Sequence, residues 1–346
     1  MHEIEEEDYF VNDEWEKFME TGGYNNNDVV EQDKTKVNTP KCGDIYISTK
    51  TKIVYLNKTN IDLTDIFWKI EIMDYGTYDN GVIKKQKKFN SLDKIEIEII
   101  EEKLSKYSYT NSYIIQSIDN PDGRIKFKDI RKVTVGMSKR DLINYRVKEK
   151  GAFYNCFVLI LRVKVNSDFN EYHIKIFNTG KIEIPGIKTD VELNIILDNL
   201  LKILMKHIKE NLDINRSNME TVLVNSNFDC KFYLNRDKLY NILKTKYGIQ
   251  SVFDPCSYPG IQSRIFFDDN DNLSNDPNKG KVSFMIFRTG SVLIVGKCNM
   301  IILNKIYNHI KDILMNEYNN ICEMNKVETA KVNVKKKYKK YIMVDS

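Results

Sequence analysis

Residues 176–188 read IFNTGKIEIPGIK and residues 286–298 read IFRTGSVLIVGKC. Both copies carry Ile-Phe-x-Thr-Gly, five intervening residues and a second Gly. A pattern that recurs with matched internal spacing marks one supersecondary unit used twice. Two copies are too few to stack as a solenoid, so the chain is expected to fold as a pseudo-two-fold pair. The correspondence extends outward. Each copy follows an apolar run that holds one arginine, Leu159–Val163 around Arg162 and Ile261–Phe267 around Arg264, and each precedes an amphipathic stretch.

With 346 residues and 42% hydrophobic content, the chain can bury one large core or two small ones. Its net charge of +4 says little, but the charge is unevenly placed. Residues 1–43 are acidic and Asn-rich and read as a disordered arm; residues 321–346 contain KKKYKK and read as a basic tail. Such blocks are solvated segments in the first instance, with nucleic-acid contact by the basic tail as the alternative. The first repeat is placed at 44–212 and the second at 213–320. Residues 91–150 have no counterpart in the second half and read as an insertion. It holds a charged helix (LDKIEIEIIEEKLSKY) and a basic hairpin-like stretch (GRIKFKDIRKVTVGMSKR). The interleaved Lys126, Phe127, Lys128, Arg131 and Lys132 read as a soluble edge strand, with phosphate contact as the alternative.

Several function classes find no support. Six cysteines stand without a CxxC pair and four histidines without metal-ligand spacing, so free thiols in a reducing intracellular compartment are expected, with no metal and no cofactor. No cleavable signal peptide and no apolar run of membrane-spanning length is evident. No P-loop, no helix–hairpin–helix with a following acid and no Ser/His/Asp set is placed by a motif, and an enzyme is not expected.

Each repeat reads as strand, helix, several strands and helix, an α+β pattern with antiparallel hairpins. In the first, strands are expected at Ile45–Leu56, Phe153–Val165, Tyr172–Asn178 and Lys181–Ile184, with a helix from Thr64 to Met73 that opens at Asp62 or Thr64. GVIKKQKKF is expected to be a strand with a basic face. A helix over about 190–209 starts with the capping box Thr189/Glu192 and aligns Val191, Ile195, Ile196, Leu200, Ile203 and Leu204 on one face. In the second, strands are expected at Thr221–Leu234, Pro259–Phe267, Lys281–Arg288 and Ser291–Lys297. Helices are expected at Arg236–Tyr247, closed by Gly248, and at about Met300–Tyr318.

The strand faces differ between copies. In the second, Val282, Phe284 and Ile286 alternate with Ser283, Met285 and Phe287, and Val292 and Ile294 with Leu293 and Val295. Both faces are apolar, so one can pack on helices while the other needs a second cover, either protein or a flat, partly apolar ligand. In the first copy, Ile174, Ile176, Ile182 and Ile184 form a core face. His173, Lys175, Phe177, Glu183 and Pro185 form a mostly polar one.

With these residues in hand, the chain resembles the TATA-binding protein family, whose core is two such repeats. The closest stretch is Cys256–Lys297: the Tyr258-Pro259-Gly260 turn, the strand with Arg264, then FMIFRTGSVLIVGK. GAFYNCFVLILRV and HIKIFNTGKIEIPGIK are the first-half counterparts, and FDCKFYL matches the strand that enters the second repeat. The resemblance covers roughly 45–90 and 151–318. Composition and insertion look most like the divergent members found in large DNA viruses.

The resemblance implies a saddle: a curved antiparallel sheet with helices on its convex side and a concave face that meets the DNA minor groove. Proteins of this mode, exemplified by the TATA-binding protein itself, lay apolar side chains on the groove floor and wedge aromatics between base steps. A/T-rich steps suit it because they lack the guanine amino group and deform readily. By position, Tyr258 and Phe287 match the second-repeat wedges, and Met285, Leu293 and Val295 the apolar floor. Phe177 matches one first-repeat wedge; the other falls on Cys156, with Phe157 and Phe153 nearby. Arg162 and Arg264 match arginines that reach phosphates. The family's groove asparagines are met here by Lys50 and Leu223, with Asn225 two residues on, while Lys175, Glu183 and Pro185 replace apolar or Thr floor positions. Glu183 stands out, because phosphates and base acceptors repel a carboxylate.

The resemblance thus implies a transcription initiation factor that binds and bends A/T-rich double-stranded DNA. Its implied partners are a factor IIB-like protein and RNA polymerase; it would act as a monomer, off the membrane. The compartment would be intracellular: host cytoplasm (viral factory) or nucleus, with packaging in the virion as a further option. The alternative is a protein-interaction platform that kept the saddle but binds DNA weakly.

Overall fold

The structure, a computed structural model, describes residues 40–143, 153–208, 211–274 and 276–323. Most of the acidic arm, the basic tail from residue 324 and the end of the insertion lie outside the described residues. The chain divides into two compact units. The described residues of the first are 47–224; those of the second are 40–46 and 225–323.

The first unit contains β1 (Tyr46–Tyr55, which begins one residue before the boundary), α1 (Leu63–Lys69), β2 (Gly81–Ser91), α2 (Lys94–Leu104), β3 (Thr110–Asp119), β4 (Phe127–Gly136), α3 (Lys139–Ile143), β5 (Cys156–Val165), β6 (Asp168–Phe177), β7 (Lys181–Ile187) and α4 (Asp190–Met205). Its strands run in the order β1-β7-β6-β5-β2-β4-β3, all antiparallel where register is defined. β8 (Glu220–Asp229) crosses into the second unit. There follow α5 (Arg236–Thr245), β9 (Gln250–Val252), β10 (Ile261–Phe267), β11 (Leu273–Ser274), β12 (Gly280–Ile286), β13 (Ser291–Gly296), α6 (Met300–Asn316) and α7 (Tyr318–Ile321). The order there is β8-β13-β12-β10, with β9 and β11 pairing β10. The fold class is α+β, built on open antiparallel sheet with several helices.

The repeated Thr-Gly has a conformational cause. Gly180 and Gly290 sit at φ +83° and +92°, and a Cβ would lie 2.2 Å from the Lys58 carbonyl oxygen and 2.5 Å from that of Phe232. Only glycine accepts both conditions. Each closes the same turn, its N–H donating to the carbonyl of Phe177 or Phe287 at 3.0 Å. Each glycine carbonyl accepts from the strand that opens its repeat: Leu56 N–H at 2.9 Å and Cys230 N–H at 3.0 Å. Ile61 N–H to Asn178 and Leu234 N–H to Arg288, both 2.9 Å, complete a matched set of three bonds in each copy. The duplication in sequence is a duplication of turn architecture.

The first unit's core joins Phe157, Leu159 and Leu161 of β5, the isoleucines of β6 and β7, and the inner faces of α1 and α4. α1 starts behind Asp62, whose carboxylate accepts from the Thr64 and Asp65 amides, but ends at Lys69, short of Met73. The Thr189/Glu192 capping box on α4 is present. The buried stripe of α4 runs through Leu193, Ile196, Leu197, Leu200 and Leu204, while Val191 is exposed. The expected stripe was therefore set partly on the wrong residues, because Val191 lies in the first turn, away from the core.

Two expectations about basic surfaces are corrected. β2 shows no single basic face: Lys84 and Lys88 point to one side, while Lys85 and Lys87 point to the other and are buried. Four lysines in an alternating structure divide two and two. In the insertion, the basic stretch is one strand, β4, between β2 and its hairpin partner β3. Arg131 is buried there, bonded through Nε to Asp129 at 2.6 Å and through Nη1 to Glu101 at 3.2 Å. Those bonds to carboxylates raise its pKa further and remove it from any phosphate-contacting edge.

Candidate nucleic-acid interface

In the second unit, hairpin register decides which side chains meet. Met285 pairs with Leu293, Ser283 with Val295, and Gln262 and Arg264 of β10 pair with Met285 and Ser283. Paired residues share a face. Met285, Leu293, Val295 and Arg264 therefore lie together, opposite Phe284, Ile286, Val292 and Ile294. Phe287 continues the same alternation beyond β12, and its ring stands 6.0 Å from that of Tyr258, tilted at 55°. Gly260 permits this approach, since a Cβ there would come within 2.7 Å of the Phe287 ring. Tyr258 is buried, and desolvation pushes its phenol pKa up, so the ring presents a neutral hydroxyl. Asn225 lies on β8, the neighbour of β13, and is also buried. The second-copy residues named from the sequence thus collect on adjoining strands: two aromatics, three apolar side chains and a half-buried Arg264.

The first unit has the same register with different chemistry. Lys175 pairs with Glu183, the positions that Met285 and Leu293 hold in the other copy. The Lys175 ammonium reaches a Glu183 carboxylate oxygen at 2.9 Å. Glu183, whose carboxylate phosphates would repel, thus has a countercharge across the strand pair. Phe177 is half-buried, with the Lys181 ammonium 5.0 Å from its ring centroid, and Cys156 pairs opposite it. Burial pushes the Cys156 thiol up to about 11, so it stays neutral.

Two first-copy residues are not brought to that cluster. Phe157 pairs with Ile176 rather than Phe177 and is fully buried in the helix-facing core, 6.3 Å from the Phe67 ring. Alternation makes Phe157 and Cys156 face opposite ways. Arg162 is buried and held by the carbonyls of Tyr75 at 2.6 Å and Thr77 at 2.9 Å, with Glu171 at 3.4 Å. Its guanidinium is a clamp on the loop before β2. Lys50 is half-buried on β1, beside the bulge that shifts register between Lys50 and Lys52.

Two features escaped the sequence reading. The Lys175–Glu183 pair was legible in principle, as opposite charges placed symmetrically about a hairpin turn. The Arg162 clamp was not, because its partners are backbone carbonyls some 85 residues away in sequence. Among the described residues there is no group of three or more His, Cys, Asp or Glu side chains able to hold a metal ion, and no helix is long and apolar enough to cross a membrane.

No family model matches the chain. It is 29% identical over 207 residues to a curated protein of Acanthamoeba polyphaga mimivirus named "TATA-box-binding protein-like". The match takes in 53% of this chain and 54% of that protein, so the chain spans about half the length of the relative. A solved structure of Methanococcus jannaschii TBP aligns over 80% of this chain and 99% of its own, with a TM-score of 0.40 and 16% identity. By sequence, about half of the chain is similar to a viral protein named TATA-box-binding protein-like.

Proposed function

We propose that the protein is a transcription factor of the TATA-binding type, which engages A/T-rich duplex DNA through the minor groove and bends it. The observation that carries this reading is the second unit's assembled face. Tyr258 and Phe287 stand as a ring pair at one end, Met285, Leu293 and Val295 form an apolar floor, and Arg264 lies on the adjoining strand. A flat apolar surface with wedge-capable aromatics suits a shallow groove floor, and a cation at its margin suits phosphate. The homology to a protein named for TATA-box binding supports the same reading. The role is non-catalytic; its partners would be a factor IIB-like protein and RNA polymerase, with the protein acting as a monomer inside the infected cell.

The first unit supports a second role beside this one. With Lys175 bonded to Glu183 and Arg162 to carbonyls, its face offers little to a phosphate backbone and suits a protein partner of the transcription complex. The test is a titration of labelled A/T-rich and G/C-rich duplexes at several salt concentrations. Tighter A/T binding that weakens with salt is expected. Equal affinity for both duplexes would leave only phosphate attraction and overturn the minor-groove reading.

A further inference from the structure

The first unit's sheet does not stop where the second unit's does. β2 pairs β5 as β9 pairs β10, but β9 has three residues and β2 has eleven, and β4 and β3 continue the sheet beyond it. One side of this three-stranded wing carries Phe89, Val133 and Val135, buried in the core with Ile100 and Leu104 of α2. The other side is open: Lys84, Gln86 and Lys88 of β2 and Lys128, Lys132 and Thr134 of β4 are all partly exposed. Val158 of β5 pairs with Gln86 on one flank and Lys175 on the other, so this is also the face of the Lys175–Glu183 pair.

Charge is arranged differently on the two parts of that face. In β6–β7 a lysine faces a glutamate; in the wing Lys88 faces Lys132 in register. Like charges directly opposite one another on a sheet cost stability, and an anion between them removes that cost. The acids of the three strands point the other way, Asp129 bonded to Arg131 and Asp119 to Lys94 of α2. Asp141 of α3 is bonded to Lys84 and Ser138, and Lys132 has a partner of its own within the protein.

Tyrosine rings flank the lysine pair. Tyr113 of β3 pairs with Lys132 and is 40% exposed. Tyr154, in the turn before β5, is 46% exposed, with the Lys88 ammonium 3.9 Å from its ring centroid. Exposed rings interleaved with cations on a flat sheet suit a single-stranded nucleic acid, whose bases stack on the rings while its phosphates meet the ammonium groups. A duplex keeps its base faces stacked internally, and an acidic peptide would use the lysines but not the rings.

We propose that the β2–β4–β3 wing binds single-stranded nucleic acid, with Lys88, Lys128 and Lys132 on its phosphates and Tyr113 and Tyr154 against its bases. The wing belongs to a different unit from the Tyr258–Phe287 face, and its role does not rest on the duplex reading.

The test titrates the full chain against a fluorescent oligothymidine of about 16 nucleotides, read by anisotropy at several salt concentrations. Wild type should bind it. Lys88→Gln/Lys132→Gln should bind more weakly with a salt slope shallower by about 1.4, and Tyr154→Ala should lose at least about fivefold in affinity. Lys88→Arg/Lys132→Arg, which keeps both charges, should retain binding, and Phe287→Ala should bind as wild type does. Wild type that binds no oligothymidine would overturn the proposal. Wing variants that bind it as tightly as wild type would overturn it too, by placing single strands elsewhere, as on the basic tail. Wing variants that lose A/T-rich duplex but keep the oligothymidine would make the wing a duplex contact instead. Oligothymidine binding in a chain that binds no duplex would uphold the wing and remove the duplex reading. Photocrosslinking wild type to a 5-iodouracil oligonucleotide needs no variant: adducts on Tyr113 or Tyr154 are expected, and adducts confined to residues 225–346 would contradict the assignment.

Discussion

Lys85 shows how a single side chain can run against its sequence appearance. It belongs to a run of four lysines in five residues, yet it is fully buried. Its ammonium donates to the Ile70 carbonyl at 2.6 Å and lies 5.1 Å from both the Phe67 and Tyr107 ring centroids. Desolvation lowers its pKa from 10.5 to about 8. Between those values the unfolded chain holds a proton that the native state has released, so stability rises with pH across that window. Below about pH 8 both states are protonated and the burial penalty is fully present. Wild type should therefore gain on the order of 2–3 kcal/mol relative to Lys85→Met between pH 8 and 10.5. Urea unfolding of both proteins at three pH values checks this, and parallel curves would contradict it.

At the same scale, legibility followed the kind of partner. Gly180 and Gly290 were readable because a positive φ beside a carbonyl admits only glycine, so the constraint is printed in the sequence. The Asp62 and Thr189 caps were readable because their partners lie within three residues. Arg162 and Lys85 were not. Each is satisfied by a backbone carbonyl, which leaves no trace in residue identity. The wedge position falls on Cys156, and the nearby Phe157, one residue on in the strand, faces the opposite way.

Among the elements, the two hairpins carry the contrast between the copies. Turn, register and flanking bonds are shared, but the central facing pair is Lys175–Glu183 in β6–β7 and Met285–Leu293 in β12–β13. Removing one member of a largely buried ion pair strands the other, whereas replacing both by apolar residues does not. Lys175→Met alone should therefore cost about 3 kcal/mol, and Lys175→Met/Glu183→Leu, which copies the second hairpin, should restore wild-type stability or exceed it. Thermal denaturation of the two single variants and the double variant checks this; additive losses would show that the pair is not coupled. The order of strands and helices in both repeats was legible from alternation and caps. The site of the insertion's β3 was not, because Thr110–Asp119 is exposed along nearly its whole length and carries no alternating pattern.

For the whole molecule, one repeat offers an apolar, aromatic-ended sheet face and the other a neutralised polar one. The DNA reading asks the first to grip and bend and leaves the second to other contacts. Sequence alone set out this asymmetry, since it follows from side-chain alternation. It did not reveal how deeply Met285, Leu293 and Val295 are buried, because burial depends on contacts remote in the chain. The most direct measurement is end-to-end fluorescence transfer on a doubly labelled A/T-rich duplex at saturating protein, for wild type, Phe287→Ala and Tyr258→Ala. Wild type should shorten the end-to-end distance, and each variant should bind with clearly less bending, because a lost wedge no longer opens its base step. Wild type that binds without bending, or variants that bend the duplex as wild type does, would contradict the account.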